Sequence, residues 1–162
     1  MSDKNDLINH YKKIHETREY GTTSIKNLRY IRPEVALLAP LSIVDYGCGQ
    51  SKLIDLLVMD RAVAKARYDP AIPEYATKPE KKFDLLITVD VLEHIEEADL
   101  NNTIHEMSSL CENAIIIIDT APAVLFLPDG RNAHVSLHDR AWWAKRLSTH
   151  FPYLRPMKTA RR

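Results

Sequence analysis

The sequence predicts an α/β fold of three layers, with helices on both faces of a mostly parallel sheet. Short apolar runs alternate along the chain with amphipathic segments, an order typical of strand–helix–strand units. The run at 114–118 is apolar throughout, as expected for a parallel strand that is covered on both faces. The 162 residues, 45% of them apolar, are enough for one core. We expect a single domain over 1–162, with a helical N-terminal cover at 1–39, a sheet-containing core at 40–151 and a basic tail at 152–162.

The N-terminal cover is predicted from helical spacing. Leu7, Tyr11 and Ile14 share one face of a first helix. A second helical segment follows, in which Pro33 suits the first residue of a fresh turn. After the cover, strands are predicted at 41–45, 65–68, 83–89 and 114–119, and helices at 52–59, 96–110 and 141–151.

Composition and charge narrow the classes of function. The formal net charge is zero, so the chain lacks the broad positive surface that duplex nucleic acid requires. The two cysteines, Cys48 and Cys111, fit a reducing compartment better than a disulfide framework. No apolar run approaches the roughly twenty residues of a membrane helix. We therefore expect a cytoplasmic protein that has no membrane span and does not bind duplex nucleic acid.

Residues 42–51, Ser-Ile-Val-Asp-Tyr-Gly-Cys-Gly-Gln-Ser, predict a strand, a tight turn and the start of a helix. Gly47 and Gly49 carry no Cβ, so this loop can adopt positive φ and approach a ligand closely. In open parallel sheets, ligands bind at the carboxyl ends of the strands. The loop therefore marks the predicted binding site.

Two further strands end in acids. Asp69 follows the second strand, about twenty residues beyond the glycine loop, the interval at which an acid typically meets a ribose hydroxyl. Asp90 follows the third strand and precedes Val91-Leu92-Glu93-His94.

With these three motifs in this order, the chain resembles the class I S-adenosylmethionine-dependent methyltransferases over about residues 40–150. Their first motif corresponds to Asp45-Tyr46-Gly47-Cys48-Gly49, their second acid to Asp69, and their fourth-strand motif to Phe83 through His94. The last run is similar to the branch that modifies small molecules. The resemblance implies a Rossmann-like fold and direct in-line transfer of a methyl group from S-adenosyl-L-methionine, with S-adenosyl-L-homocysteine as the product. The acceptor would be an O or N atom of a small molecule, an anion included.

The resemblance also implies roles for residues. The glycine loop would hold the methionine part of the donor, and Asp69 would bind the ribose hydroxyls. The residues after the third strand would contact the opposite side of the donor. The implied donor-binding residues are Tyr20, Asp45, Gly47, Cys48, Gly49, Asp69, Pro70, Ile72, Asp90, Val91 and Leu92. Two alternatives stay open: Asp45 as a brace for the loop, and Asp90 as a cap for the next turn.

One departure from the family pattern concerns residues 70–82. This interval contains three prolines and is too short for a crossover helix plus another strand. We therefore expect a reduced sheet of about five strands, including one weak strand near 152–158. The loop at 70–75 would replace the missing element, with Ile72 or Tyr75 against the adenine base. The short chain is similar to small phage-encoded or bacterial methyltransferase-like proteins, and a phage protein would act in the host cytoplasm.

Candidates for catalysis and acceptor binding follow the third and fourth strands. His94 and His134 are the predicted proton acceptors, because a histidine titrates near neutrality. Arg131 and Asn132 are the predicted substrate contacts, and a loop held by its own hydrogen bonds is the alternative. His138 is four residues from His134, but the strand-like pattern between them would separate the pair, so no metal site is predicted.

Other interpretations stay open beside the enzyme. Tyr11, His15 and Tyr20 are predicted to form a lid, although helix packing alone would explain Tyr11. A non-catalytic module that binds the donor, as a homodimer or as a subunit of a partner enzyme, is the first alternative function. A nicotinamide-dependent oxidoreductase comes next. It is disfavoured because Lys52 stands where the third glycine of a dinucleotide loop is needed.

Overall fold

A computed structural model describes residues 4–151 of the chain. The basic tail and the weak strand predicted near 152–158 lie outside the described residues. The helices are α1 (Lys4–Thr17), α2 (Leu28–Leu38), α3 (Leu53–Leu56), α4 (Glu97–Ser109) and α5 (Arg140–Ser148). The strands are β1 (Ser42–Tyr46), β2 (Ala64–Tyr68), β3 (Phe83–Val89) and β4 (Cys111–Ile117). Short 3-10 turns occupy Thr23–Asn27, Pro73–Tyr75 and Leu92–His94.

The strands form one parallel sheet in the order β2-β1-β3-β4. In the middle of the sheet, Asp45 of β1 pairs with Arg67 of β2 and with Ile87 of β3. The chain runs from β1 outward to β2, then crosses to the other side of β1 to form β3. This reversal is the point at which open α/β sheets bind ligands, at the carboxyl ends of their strands. The predicted α/β class with a parallel sheet is confirmed.

Alternate residues of the strands enter two separate cores, which gives the three layers. Val44 and Leu86 face one core with α4 and α5, in which Trp143 is fully buried. Ile43 and Leu85 face the opposite core with α2 and α3. This alternation follows from the period of two in a strand. The predicted three-layer, Rossmann-like arrangement is confirmed.

The predicted reduction of the sheet is confirmed. Residues 4–151 contain four strands, and the fifth one, predicted near 152–158, lies outside these residues. Between β2 and β3 the described chain forms the single turn Pro73–Tyr75. As a result β2 is the edge strand, and its first residues are exposed. No further strand of the described residues covers the free edge of β2.

Two element boundaries differ from the prediction. The helix predicted at 52–59 is the single turn α3, because the backbone leaves the helical conformation at Leu57, with φ −80° and ψ 82°. Two side chains bind the carbonyls at this end. Arg32 donates to the Leu56 carbonyl at 3.2 Å and Lys65 to the Leu57 carbonyl at 2.8 Å. Strand β4 starts at Cys111 rather than at 114, since Cys111 already pairs with Phe83.

The N-terminal cover divides between two positions. Helix α2 belongs to one layer of the sandwich, through Ile31 and Val35. Helix α1 packs through Leu7 on Leu127 and Ala133, in the segment that follows β4. Within residues 4–151, every helix is too short or too polar to cross a membrane.

Candidate functional site

A cavity of ≈ 1590 Å³ opens at the carboxyl ends of the strands. Its wall contains Gly47 after β1, Asp69 after β2, Asp90 after β3 and Asp119 after β4. Pockets for single small ligands typically occupy about 300–1,000 Å³. The cavity therefore has room for a cofactor and a second molecule.

The glycine loop needs its glycines. Gly47 has φ +72°, and a Cβ there would lie 2.4 Å from Cγ2 of Val91. Gly49 has φ +52°, and a Cβ there would lie 3.2 Å from the Cα of Gly21. The amides of Gly47 and Cys48 both donate to the Tyr68 carbonyl, at 2.7 and 3.2 Å, which ties the loop to the end of β2. Backbone thus meets backbone on one side of this loop and a side chain on the other.

Asp69 joins the loop after β1 to the loop after β2. Its Oδ2 accepts a hydrogen bond from the Gly49 amide at 2.8 Å, and its Oδ1 accepts one from the Ala71 amide at 2.8 Å. The carboxylate is nearly buried and lines the cavity. A carboxylate offers about four acceptor sites, so two backbone bonds leave capacity for hydroxyls.

Asp45 is the most perturbed acid of the glycine loop. Burial, with a smaller contribution from Asp69, raises its pKa to about 7, although Arg67 acts in the opposite direction. Its Oδ2 has no hydrogen-bond partner among the described residues. A buried carboxyl oxygen of this kind is costly without a partner, and a bound cation or donor group would supply one.

The turn after β3 holds a strained residue and a buried acid. Asp90 has φ +54°, which is rare outside glycine, and its Oδ2 accepts a hydrogen bond from the Thr23 hydroxyl at 3.0 Å. Glu93 is fully buried, and its Oε1 accepts a hydrogen bond from the Asp119 amide at 2.7 Å. Burial and the nearby Asp90 and Asp119 hold the pKa of Glu93 well above its ordinary range. Backbone strain of this kind is typical of ligand sites.

His94 and His134 lie side by side, with ring centroids 4.7 Å apart, and both line the cavity. Nδ1 of His94 is 2.9 Å from the Ala133 carbonyl and 2.7 Å from the Tyr11 hydroxyl. Nδ1 of His134 contacts the Ala121 carbonyl. Burial, followed by the neighbouring His134, lowers the pKa of His94 to about 3, so the imidazole of His94 is neutral. Tyr11 joins helix α1 to this cluster.

Acidic side chains outnumber basic ones in the cavity wall. Among the described residues, seven acids and three bases line it: Glu19, Asp45, Asp69, Asp90, Glu96, Asp99 and Asp119 against Lys26, Arg29 and Arg140. A wall with this excess attracts cationic ligands.

Comparison with protein families now identifies the kind of site. A family model described as a methyltransferase domain matches residues 18–160. The chain belongs to this methyltransferase family. The match supports the resemblance to class I S-adenosylmethionine-dependent methyltransferases, and methyl transfer as the general activity. Comparisons with curated proteins and with solved structures find no match.

Most of the predicted donor-binding residues of the methyltransferase domain line the cavity. They are Tyr20, Asp45, Gly47, Cys48, Gly49, Asp69, Pro70, Asp90 and Val91. Two do not line it: Leu92 is fully buried in the core beside α4, and Ile72 lies at the start of the turn Pro73–Tyr75. The Tyr75 ring instead lies 5.4 Å from the Arg67 guanidinium.

The predicted substrate contacts Arg131 and Asn132 do not line the cavity of the methyltransferase domain. Arg131 forms ion pairs with Asp129 at 2.8 Å and with Glu96 at 2.5 Å. The Asn132 side chain accepts from the Ala123 and His134 amides, both at 3.0 Å, and donates to the Ala123 carbonyl at 2.8 Å. Both residues brace the segment after β4, which matches the alternative weighed for them. The expectation of an anionic acceptor depended on Arg131.

Sequence reasoning passed over three residues of the site. Glu93 lies in the motif after β3, but a charged residue beside His94 gives no indication in the sequence that it is fully buried. Thr23 and Asp119 acquire their roles through contacts with Asp90 and Glu93, which are distant in sequence. The polar residue after each strand was the available signal, since such residues meet at one edge of a parallel sheet.

Proposed function

We propose that this domain transfers a methyl group from S-adenosyl-L-methionine to an oxygen or nitrogen atom of a small acceptor. The observation that carries the proposal is the glycine loop after β1, which faces an acid-lined cavity large enough for two molecules. A loop without Cβ atoms lets the flat and bulky parts of a cofactor lie against backbone.

The donor fits the residues on the β1 and β2 side of the cavity. The unpartnered Oδ2 of Asp45 suits the ammonium group of the methionine part, and the remaining lone pairs of Asp69 suit ribose hydroxyls. The acid-rich wall suits a donor that carries positive charge. Pro70 and Ala71, which line the cavity after β2, take the place of the missing edge element.

The reaction asks little covalent chemistry of the protein. When bound, S-adenosyl-L-methionine supplies an electrophilic methyl carbon on a sulfonium. The protein then has to align the nucleophile with that carbon and exclude water. Tyr11 and Tyr20, whose rings lie 6.1 Å apart, form part of the wall on the α1 side and suit this screening role.

The acceptor fits the opposite side, beside His94 and His134. The Ala133 and Ala121 carbonyls can only accept hydrogen bonds, so we assign the proton of each ring to Nδ1. Each Nε2 then carries a lone pair that can accept a hydrogen bond from an acceptor O–H or N–H. The low pKa of His94 suits this role better than storage of a proton.

Calorimetric titration tests the proposal with S-adenosyl-L-methionine, S-adenosyl-L-homocysteine and NAD in parallel. We expect micromolar binding of both sulfur compounds and none of NAD. If neither sulfur compound binds, the donor assignment is wrong, and so is the proposed methyltransferase activity.

A non-catalytic donor-binding module is the second candidate, and the shortened nucleotide side favours it. Replacing His134 by glutamine separates the two functions. In an enzyme the variant binds the donor normally and turns over an acceptor more slowly. In a module neither the wild type nor the variant methylates any member of a panel of small hydroxyl and amine acceptors.

A further inference from the structure

The geometry points to a metal site on the acceptor side of the cavity. We propose that Glu93, His94 and His134 bind one divalent first-row transition-metal ion. Each of the three side chains offers a ligand atom, and these atoms all lie within 4.8 Å of one another. The two histidines line the cavity, so the bound ion would face a substrate there.

Both imidazoles are already oriented as metal ligands usually are. Their Nδ1 atoms contact the Ala133 and Ala121 carbonyls, which leaves the lone pair on Nε2. In metal sites the second ring nitrogen of a ligating histidine almost always donates to a carbonyl, a carboxylate or water, and this bond fixes the ring. Two neighbouring histidines share this feature here.

The carboxylate supplies an independent observation. Glu93 is 0% exposed, and its Oε2 has no hydrogen-bond partner among the described residues. Its Oε1 is held by the Asp119 amide at 2.7 Å, so the side chain has a fixed position. Asp90 and Asp119 add negative charge beside it. An unpartnered buried carboxylate oxygen is costly, and a cation would remove that cost.

The ligand set indicates the class of metal. Two imidazole nitrogens and one carboxylate oxygen suit zinc, iron(II) or manganese(II) better than calcium or magnesium, which prefer oxygen alone. Three protein ligands leave a coordination position open, as in catalytic zinc sites.

The consequence for catalysis rests on the proposed function. With the ion bound, the two Nε2 lone pairs would hold the metal, and the acceptor would bind to the metal instead of to the histidines. An acceptor hydroxyl bound at the open position would release its proton to solvent more readily. The oxygen would then form its bond to the methyl carbon with its own electron pair, while the carbon–sulfur bond breaks and leaves its electrons on sulfur. The donor side takes no part in holding the ion.

Titration of the chelator-treated full chain, without an affinity tag, tests the site. The probes are zinc chloride and manganese chloride, with magnesium chloride for comparison. We expect one equivalent of zinc bound at micromolar concentration and much weaker binding of magnesium. His134→Gln and His94→Gln should each weaken zinc binding at least tenfold.

The matched control is His138→Gln. His138 also lies near a carboxylate, with Nε2 3.5 Å from Glu97, but outside the cluster. Its variant should bind zinc as the wild type does. Equal zinc affinity in the His134 and His138 variants, or no stoichiometric binding by the wild type, would overturn the proposal.

A second measurement uses the wild type alone, because a variant that fails to fold would also lose zinc binding. Cobalt(II) added to the wild-type chain should give the visible absorption bands of a site with few ligands. Zinc should displace the cobalt and abolish these bands. Absence of these bands counts against the site. The metal titrations contain no donor and the donor titrations contain no metal, so failure of one proposal leaves the other intact.

Discussion

The two sides of the cavity are built in different ways. The donor side depends on backbone: glycines at positive φ, and a carboxylate that accepts from two amides. The acceptor side depends on side chains that meet from distant parts of the chain, such as Tyr11, His94 and the segment at 121–134. On the proposed function, donor recognition would depend on the sheet and its loops, whereas acceptor recognition would depend on contacts between distant parts of the chain.

The largest effect should come from Gly47→Ala. The new Cβ would lie 2.4 Å from Val91 in a backbone conformation that side chains rarely adopt, so the loop must shift. We expect donor affinity to fall on the order of a hundredfold. Gly130→Ala is the control: its φ is +86°, but nothing lies within 4 Å of the new Cβ. Calorimetry that finds the two variants equal would show that the donor does not depend on the glycine loop.

Asp69→Ala should have the next largest effect. The change leaves the Gly49 and Ala71 amides without their acceptor, and we expect at least about a tenfold loss of donor affinity. Asp84 accepts from the Leu41 and Ser42 amides, at 2.6 and 3.0 Å, near the start of β1 and so at the other end of the sheet. Asp84→Ala should lower the melting temperature but not donor affinity. An unaltered affinity in the Asp69 variant would contradict the assignment of the donor site.

Asp45 should make stability depend on pH. Its folded pKa of about 7 lies above the ordinary value of 3.8, so between these values the folded state binds more protons than the unfolded state. The free energy of unfolding therefore falls as the pH rises through this window, by up to about 4 kcal/mol. Urea denaturation of the wild type and of Asp45→Asn at pH 5 and 8 measures the difference. The variant should lack this component of the slope, and equal slopes would remove Asp45 as its source.

The same ionisation should affect the donor. Arg67 stabilises the ionised form of Asp45, whereas Asp69 and Asp55 destabilise it. A cationic donor would act in the same direction as Arg67. We expect the affinity for S-adenosyl-L-methionine to rise several-fold between pH 6 and 8. Calorimetry of the Asp45→Asn variant should show a flatter dependence.

The smallest effect should come from Tyr11→Phe on the acceptor side. The variant loses the 2.7 Å hydrogen bond to His94, and we expect it to be less stable by about 1 kcal/mol. Donor affinity should stay within about twofold of the wild type, because the neutral hydrogen bonds that are lost, to His94 and to the Ala133 carbonyl, lie on the other side of the cavity. Tyr75→Phe is the control, since Tyr75 contacts Arg67 through its ring, which the variant keeps. A large loss of donor affinity in the Tyr11 variant would erase the distinction between the two sides.

The same distinction explains how much the sequence could predict. Strand ends, glycines and acids are local signals, so the order of elements and the positions of Gly47, Asp69 and Asp90 followed from the pattern. The early end of α3 has no local signal in the sequence, and the carbonyls at that end are bound by Arg32 and Lys65, whose side chains come from other elements.

On the acceptor side the predictions were less complete. His94 and His134 were chosen by residue type, and the structure brings them together in the cavity wall. Arg131 and Asn132 were chosen by the same reasoning, but their partners lie within their own segment and in Glu96. Residue type indicates which side chains can act, and tertiary contacts decide which of them face the cavity.

The Tyr11 hydroxyl and the Ala133 carbonyl, 3.4 Å apart, are separated by 122 positions along the chain. Contacts of such high sequence separation carry a large loop-closure entropy, and α1 packs on the segment after β4 in a small cluster apart from the two main cores. We expect α1 to undock in a local opening that leaves the parallel sheet intact. Amide hydrogen exchange should therefore be faster in α1 than in β1 or β3, and the acceptor side would be the last part of the molecule to assemble and the first to come apart.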